Sequence, residues 1–335
     1  MKRIFYWSGP DVNVSAGNFI YDKLKERGYN IVPYYDYKLG EGSNKRKRML
    51  KTYKNIVSIF FRSTKNDIIL SHDVFTVWKL ALLFRLFGMK RNVCINNFMY
   101  EGGGDLKNRI MGFALSRQKI ALNSQELKNI IKKGMPALQE ENLFVIPDCL
   151  AVLGNKYINT PQTNYSVSKG YVFTGGNTRR DFGLVIEVAQ KRPDWKFVVV
   201  ANRIQKDLFH NAPSNMEIFY NIPFAEFADK LSQSEIVFIP LTSKFQGGQL
   251  VLFLSALLRK PMVTTDTYTI RTYFDEDCCS FIPVGDSQSA IAKINELKQL
   301  SCSELSKRSE KAFRNIIKFD ADYCFGLIEN MIVKK

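Results

Sequence analysis

The sequence predicts an α/β protein built as two doubly wound, Rossmann-like domains. Short segments rich in Val, Ile and Phe alternate with amphipathic helical segments along the chain, the pattern of βαβ units around parallel sheets. At 335 residues the chain exceeds what one ordinary core organises, so two domains are expected. A polar stretch around Asn155–Ser168, containing NTPQTNYSVS, lacks apolar periodicity and is rich in turn formers. It reads as a linker between a domain over residues 1–160 and one over 165–310, with 311–335 as a terminal helix.

The elements follow in order. KRIFYW is a strand, and GNFIYDKLKERG is an amphipathic helix closed by Gly28. NIVPYY is the next strand. GEGSNKRKRMLKTYKNIVSIFFRSTKN is a basic loop leading into a helix, and NDIILSHD is a buried strand. VWKLALLFRLFGMK forms a helix whose apolar residues are read as facing the core, and NVCINN is a strand. Beyond these, QKIALN, LFVIP, KGYVFTG, WKFVVVAN, MEIFYN, SEIVFIPL and KPMVTTD are short strands, mostly followed by helical segments. DADYCFGLIENMIVKK is a last helix. In such a fold, ligands bind at the carboxyl ends of the strands.

Composition narrows the function classes. With 45% hydrophobic and 24% charged residues the chain is globular, not disordered. No apolar run is long enough to span a membrane, and MKRIFYWSGP reads as a first strand and not a signal peptide. The six cysteines are scattered without a CxxC pair, so neither a disulfide framework nor a zinc site is expected. The cytoplasm is the expected compartment. A dinucleotide fingerprint is missing, because Gly9 and Gly17 lie too far apart.

Charge points to an anionic partner. The net charge is +16, and residues 1–150 hold 25 Lys and Arg against 13 Asp and Glu. Nucleic acid or an anionic membrane surface would answer such a surplus, as would mere solvation of a basic face. No helix-turn-helix, RNA-recognition or zinc motif supports nucleic acid. The segment Asn44–Arg62, with Lys45, Arg46, Lys47 and Arg48 ahead of Phe, Leu and Ile, is read as the membrane-contacting one.

Two stretches read either as phosphate-binding loops or as ordinary turns with solvated arginines and a helix cap. In YVFTGGNTRRDFGLVIEVAQ a buried strand ends at Gly175-Gly176, and Arg179 and Arg180 stand where a helix begins. Glycines admit a ligand to the backbone, and guanidinium groups pair with phosphate in forked geometry. In SKFQGGQLVLFLSALLRKPMVTTD, Gly247-Gly248-Gln249 opens a helix whose amides and dipole favour an anion, with Lys244 just upstream. A third candidate is His72, at the end of the strand NDIILSHD; a strand-end histidine is either functional or a satisfied structural residue.

Taken together, these stretches resemble the donor domain of glycosyltransferases with the GT-B fold, particularly the family 4 type. The likeness runs over about residues 170–285 and is looser in the N-terminal half. It implies an N-terminal acceptor-binding domain, a C-terminal domain holding a nucleoside diphosphate-sugar, and a final helix packing back on the first domain. It further implies Arg180 and His72 as catalytic residues, with Gly175, Gly176, Arg179, Lys244, Gly247 and Gly248 on the diphosphate. Asn202, Arg203 and the segment near Tyr220 would flank the base, and Gly9 to Gly17 would form a flexible acceptor-side loop. The family's Glu-x7-Glu pair falls here on Gln246 and Leu254, leaving Gln246 or Gln249 to meet sugar hydroxyls.

The implied reaction is sugar transfer to a glycan or lipid-linked acceptor, with retention and without metal or cofactor, in cell-surface polysaccharide assembly. The enzyme would sit peripherally on the inner face of the plasma membrane, with no nucleic-acid partner. A catalytically inactive nucleotide-sugar binder and a nucleic-acid-binding protein are the alternatives.

Overall fold

The structure, a computed structural model, describes residues 3–10, 18–37, 45–72, 74, 76–98, 100, 102–153 and 170–334. The chain divides into two compact units, Met1–Val152 with Phe319–Lys335, and Leu153–Lys318. The expected linker at Asn155–Ser168 lies outside the described residues, as does Gly17.

The first unit is built from β1 (Arg3–Pro10), α1 (Asn18–Glu26), β2 (Asn30–Tyr37), α2 (Lys45–Arg62), β3 (Ile68–His72), α3 (Val77–Leu86), β4 (Asn92–Asn96), α4 (Asp105–Leu115), β5 (Lys119–Leu122), α5 (Gln125–Gly134) and β6 (Leu143–Val145). Its six strands run in the order β2-β1-β3-β4-β5-β6, with every pair parallel. The order reverses between β1 and β3. Gly28 closes α1 with φ 74°, and the next amide bonds back to Leu24, so the predicted glycine cap forms.

Alternation places Ile4 and Tyr6 of β1 on one face, with Ile68, Leu70, Cys94 and Ala121 of the neighbouring strands. On the other face α2 packs beside α3 and α3 beside α4. Two expectations need correction here. Gly9 does not begin a loop, because β1 continues to Pro10 in register with Tyr37. The second helix is also not wholly core-facing. Val77, Leu80, Ala81 and Phe84 are buried, but Leu86 and Phe87 fall where the helix ends and stand in solvent.

The second unit comprises β7 (Tyr171–Gly175), α6 (Phe182–Lys191), β8 (Lys196–Ala201), β9 (Met216–Tyr220), α7 (Phe224–Ser232), β10 (Ile236–Ile239), α8 (Gln249–Leu257), β11 (Met262–Thr265), β12 (Ser280–Ile282), α9 (Ser287–Gln299) and α10 (Cys302–Ile317). The parallel sheet runs β12-β11-β10-β7-β8-β9 and reverses between β7 and β10. Strand β12 has only three residues, too few for alternation to mark it in the sequence.

The chain then returns to the first unit. α11 (Ala321–Val333) lays Phe325, Ile328, Met331 and Ile332 against Ile4, Tyr6, Ile20 and Leu24. Buried Lys119 donates to the Met331 carbonyl at 2.9 Å and to that of Lys334, satisfying the end of this helix. The return begins at Phe319 and not near residue 311. α10 is one continuous helix, capped by Ser301, whose buried Leu305, Ala312 and Ile316 carry it past that point within the second unit.

Candidate functional site

The reversal between β7 and β10 opens a crevice at the carboxyl ends of these strands, where ligands bind in open α/β sheets. The two loops leaving them are joined by backbone. Arg180 and Leu241 form an antiparallel bridge, the Asp181 amide donates to Pro240 O at 3.0 Å, and the Thr242 amide donates to Arg179 O at 2.9 Å. The segments around Gly175 and Gly247, far apart along the chain, thus become one structure.

Arg180 is 6% exposed. Its Nε donates to Gly175 O at 2.8 Å and its Nη1 to Pro240 O at 3.5 Å, so it ties the ends of β7 and β10. No carboxylate among the described residues offsets its charge, and burial pulls the guanidinium down to about 9. A buried cation held only by carbonyl oxygens gains from an anion placed beside it. Gly176 makes room for it. At φ 104° the residue adopts a conformation that L side chains rarely enter, and a Cβ there would stand 2.9 Å from Arg180 Nη2.

Arg179, with φ 52°, turns the other way. Its Nη1 donates to Ser243 Oγ at 3.0 Å and its guanidinium lies 5.8 Å from the Phe245 ring centroid. Gly247 approaches this turn closely, since a Cβ there would meet Thr178 O at 3.5 Å and Arg179 Cβ at 3.6 Å. Gly248 starts α8 in the left-handed region at φ 79° and brings no side-chain cap. By contrast α6 and α9 are capped by Asp181 and Asp286. The first-turn amides of α8 are therefore not taken by a capping side chain, the arrangement that receives phosphate at a helix N-terminus.

The remaining predicted residues are distributed unevenly. Lys244 is exposed in the same loop, with its carbonyl accepting from the Tyr268 amide at 2.8 Å. Gln246 is buried in that loop, and Gln249, also buried, donates through Nε2 to Thr269 Oγ1 at 2.9 Å. Leu254, at the position of the family's second acid, is 1% exposed and belongs to the core. Asn202 caps the turn after β8 by accepting from the Ile204 amide at 3.0 Å. Arg203 is exposed beside it, its amide bonded to Asn221 Oδ1.

In the first unit, His72 ends β3 beside the reversal, in register with Ser8 of β1 and Asn96 of β4. It is buried, and Asn96 Nδ2 lies 3.0 Å from its Nδ1. Sequence reasoning missed Asn96, because only the register of β3 against β4 reveals the pairing. It also missed Asp36, a buried carboxylate of β2 that accepts from Trp7 Nε1 and Asn55 Nδ2, both at 2.9 Å. Burial raises its pKa, with those two hydrogen bonds acting in the opposite direction. Among the described residues no cluster of His, Cys, Asp and Glu has the makings of a metal site.

No protein-family model matches the chain. No curated protein matches it in sequence. Solved structures do match in fold. HepE of Anabaena, in complex with UDP, is 13% identical over 100% of both chains with a TM-score of 0.75. A glycosyltransferase from Rickettsia africae is 13% identical over 100% of this chain and 99% of that one, with a TM-score of 0.73. Sucrose-phosphate synthase from Thermosynechococcus elongatus is 10% identical over 99% and 98%, with a TM-score of 0.74. The fold is GT-B. In GT-B terms the site at Arg180 occupies the crevice of the C-terminal Rossmann-like unit and His72 the equivalent strand edge of the N-terminal one.

Proposed function

We propose that the protein is a glycosyltransferase that moves a sugar from a nucleoside diphosphate-sugar to a glycan or lipid-linked acceptor, with retention, at an anionic membrane surface. The observation that carries this reading is Arg180, a buried guanidinium without a carboxylate partner among the described residues, at the reversal of a Rossmann-like sheet. As the glycosidic bond breaks, negative charge collects on the departing diphosphate. Arg180, Arg179, Lys244 and the amides following Gly248 would stabilise that charge, and they are already oriented before it develops.

In this reading the donor's charge is met by guanidinium, ammonium and amide groups, so no metal or cofactor is invoked. Gln246 and Gln249 replace acidic contacts to the sugar, and Asn202 and Arg203 border the base. His72, at the end of β3, would act from the acceptor-binding unit. HepE binds UDP and UDP-glucose, as its complexes record, which makes uridine diphosphate donors the first to try. Such transfer belongs to assembly of cell-surface polysaccharide by a peripheral enzyme on the inner membrane face.

The test is a thermal-shift screen against nucleoside diphosphates, followed by transfer of labelled sugar from the stabilising nucleotide to a membrane extract. Stabilisation with label incorporated is expected. Stabilisation without transfer would favour an inactive nucleotide-sugar binder, a second reading motivated by Gln246 and Leu254 standing where acids are usual. No stabilisation by any nucleotide would remove the reading altogether.

A further inference from the structure

Ten of the eighteen large apolar side chains exposed among the described residues lie on α2, α3 and α4 or at their ends, so the exposure is concentrated on one face of one unit. On α2, Leu50, Tyr53, Val57 and Phe61 recur at spacings of three and four and share one side of the helix. Leu106, Ile110 and Phe113 do the same on α4. Between them, α3 ends in exposed Leu86 and Phe87.

These stripes touch. Phe61 and Phe87 both meet the edge or face of Phe60, with ring centroids 5.2 and 5.4 Å away. The Arg85 guanidinium lies 4.6 Å from the Phe113 ring centroid, which joins α3 to α4, and Lys79 Nζ donates to Tyr53 Oη at 2.9 Å, which joins α3 to α2. Phe61 is 77% exposed and Phe87 69%, values that a monomer in water does not favour across a continuous patch.

Charge selects the occupant. The three helices carry eleven Lys and Arg against a single acidic residue, Asp105. A second copy of this chain would set like charge against like charge, and an apolar protein groove would bring no negative charge to balance the net positive charge of the face. An anionic bilayer answers both features, because its headgroups balance the net positive charge of the face while rings and aliphatic chains enter the acyl boundary.

We propose that the α2–α3–α4 face is a lipid-inserting surface, which docks the protein on anionic phospholipid by burying Phe61, Phe87, Phe113 and their aliphatic neighbours. This rests on the membrane partner of the proposed function and deepens it, extending the contact from Asn44–Arg62 to α3 and α4. Docking is then not purely electrostatic. Charge brings the face to the surface, and the apolar side chains hold it once salt has screened the charge.

The test uses the full chain with vesicles of phosphatidylglycerol and phosphatidylcholine. Wild-type protein is expected to cosediment and to remain partly bound at high salt, whereas the variant Phe61→Ser/Phe87→Ser/Phe113→Ser loses partitioning by roughly tenfold or more per ring removed. Phe87→Trp is expected to add fluorescence that shifts to the blue on binding and is quenched by brominated acyl chains. Emission that stays unquenched in the Phe87→Trp variant, or unchanged vesicle binding by the serine variant, overturns the proposal. So does self-association of the lipid-free protein that the serine variant abolishes, since the face would then bind a second copy. UDP-dependent thermal shifts, read on vesicle-free samples, are expected to be the same in these variants and wild type. A protein that inserts in vesicles yet never responds to UDP sinks the transferase reading and leaves this one standing.

Discussion

Arg180 is where the chemistry and the architecture depend on one side chain. Its contacts to Gly175 O and Pro240 O brace two strand ends, and it is the residue proposed to meet the diphosphate, since no carboxylate among the described residues offsets its charge. Arg180→Ala is expected to lower turnover about a hundredfold, the usual effect of losing one preorganised donor to developing charge. Arg180→Lys would keep the charge but lose the fork and should recover only part of it. Unchanged turnover in a folded Arg180→Ala protein would remove the residue from the site. Gly176→Ala tests the same geometry from the backbone. The new methyl must occupy a strained φ and press on Nη2, at a cost of about 1–3 kcal/mol, and a urea midpoint together with nucleotide affinity should both fall. Retained affinity would mean that Arg180 has space to move.

His72 poses a different question, because it lies in the other unit. If it serves transfer, His72→Ala should depress kcat far more than it weakens nucleotide binding. Parallel losses, or a large drop in melting temperature, would instead mark it as a strand-end residue satisfied by Asn96. Both arginines and the histidine were legible in the sequence from strand ends and glycine pairs. Asn96 and Asp36 were not, since their partners come from neighbouring strands and helices.

At the scale of elements, α8 opens at Gly247-Gly248, the glycines proposed to meet phosphate. The helix is apolar on nearly all sides and sits deep in the unit, so its end must be closed without a solvated charge. The Lys260 amide closes it by donating to Ser255 O at 2.8 Å, while the Lys260 side chain, 2% exposed, donates to Ser234 O at 3.0 Å just beyond α7. Burial lowers its pKa from 10.5 to about 8. Below about pH 8 both folded and unfolded chains hold the proton, and the folded state carries the cost of burying it. As pH rises from there toward 10.5 the folded lysine releases its proton first, so stability should rise, by up to about 3 kcal/mol. Denaturation midpoints from pH 7 to 10 should therefore climb in wild type relative to Lys260→Met, in which this contribution is gone. Parallel curves for the two proteins would show that Lys260 is not held in a costly environment.

At the scale of the whole molecule, the charge surplus of the N-terminal half is what the proposed membrane surface would answer. Arg46, Lys47 and Arg48 occupy the first turn of α2 and are exposed, with Arg48 lying 4.3 Å from the Tyr37 ring centroid. Each basic residue near anionic lipid contributes about 1 kcal/mol. Changing these three to Gln should weaken vesicle binding at low salt, slow transfer to a membrane-embedded acceptor, and spare a short soluble acceptor. Equal binding by the variant would make the cluster a solvated helix start. Among the described residues no helix is long and apolar enough to cross a membrane.

The sequence by itself determined the alternation of strands and helices, and with it two parallel sheets, because periodicities of two and 3.6 are local properties of the chain. It also marked Gly175-Gly176 and Gly247-Gly248 as backbone that a phosphate can approach. The tertiary structure alone decided which strand lies beside which. That order put the reversals between β1 and β3 and between β7 and β10, and so drew Arg180 to Pro240 and His72 to Asn96. It decided as well that Leu86 and Phe87 stand in solvent. An amphipathic pattern tells which residues prefer burial, but burial needs a neighbouring element to cover them, and past the end of α3 none of the described residues does.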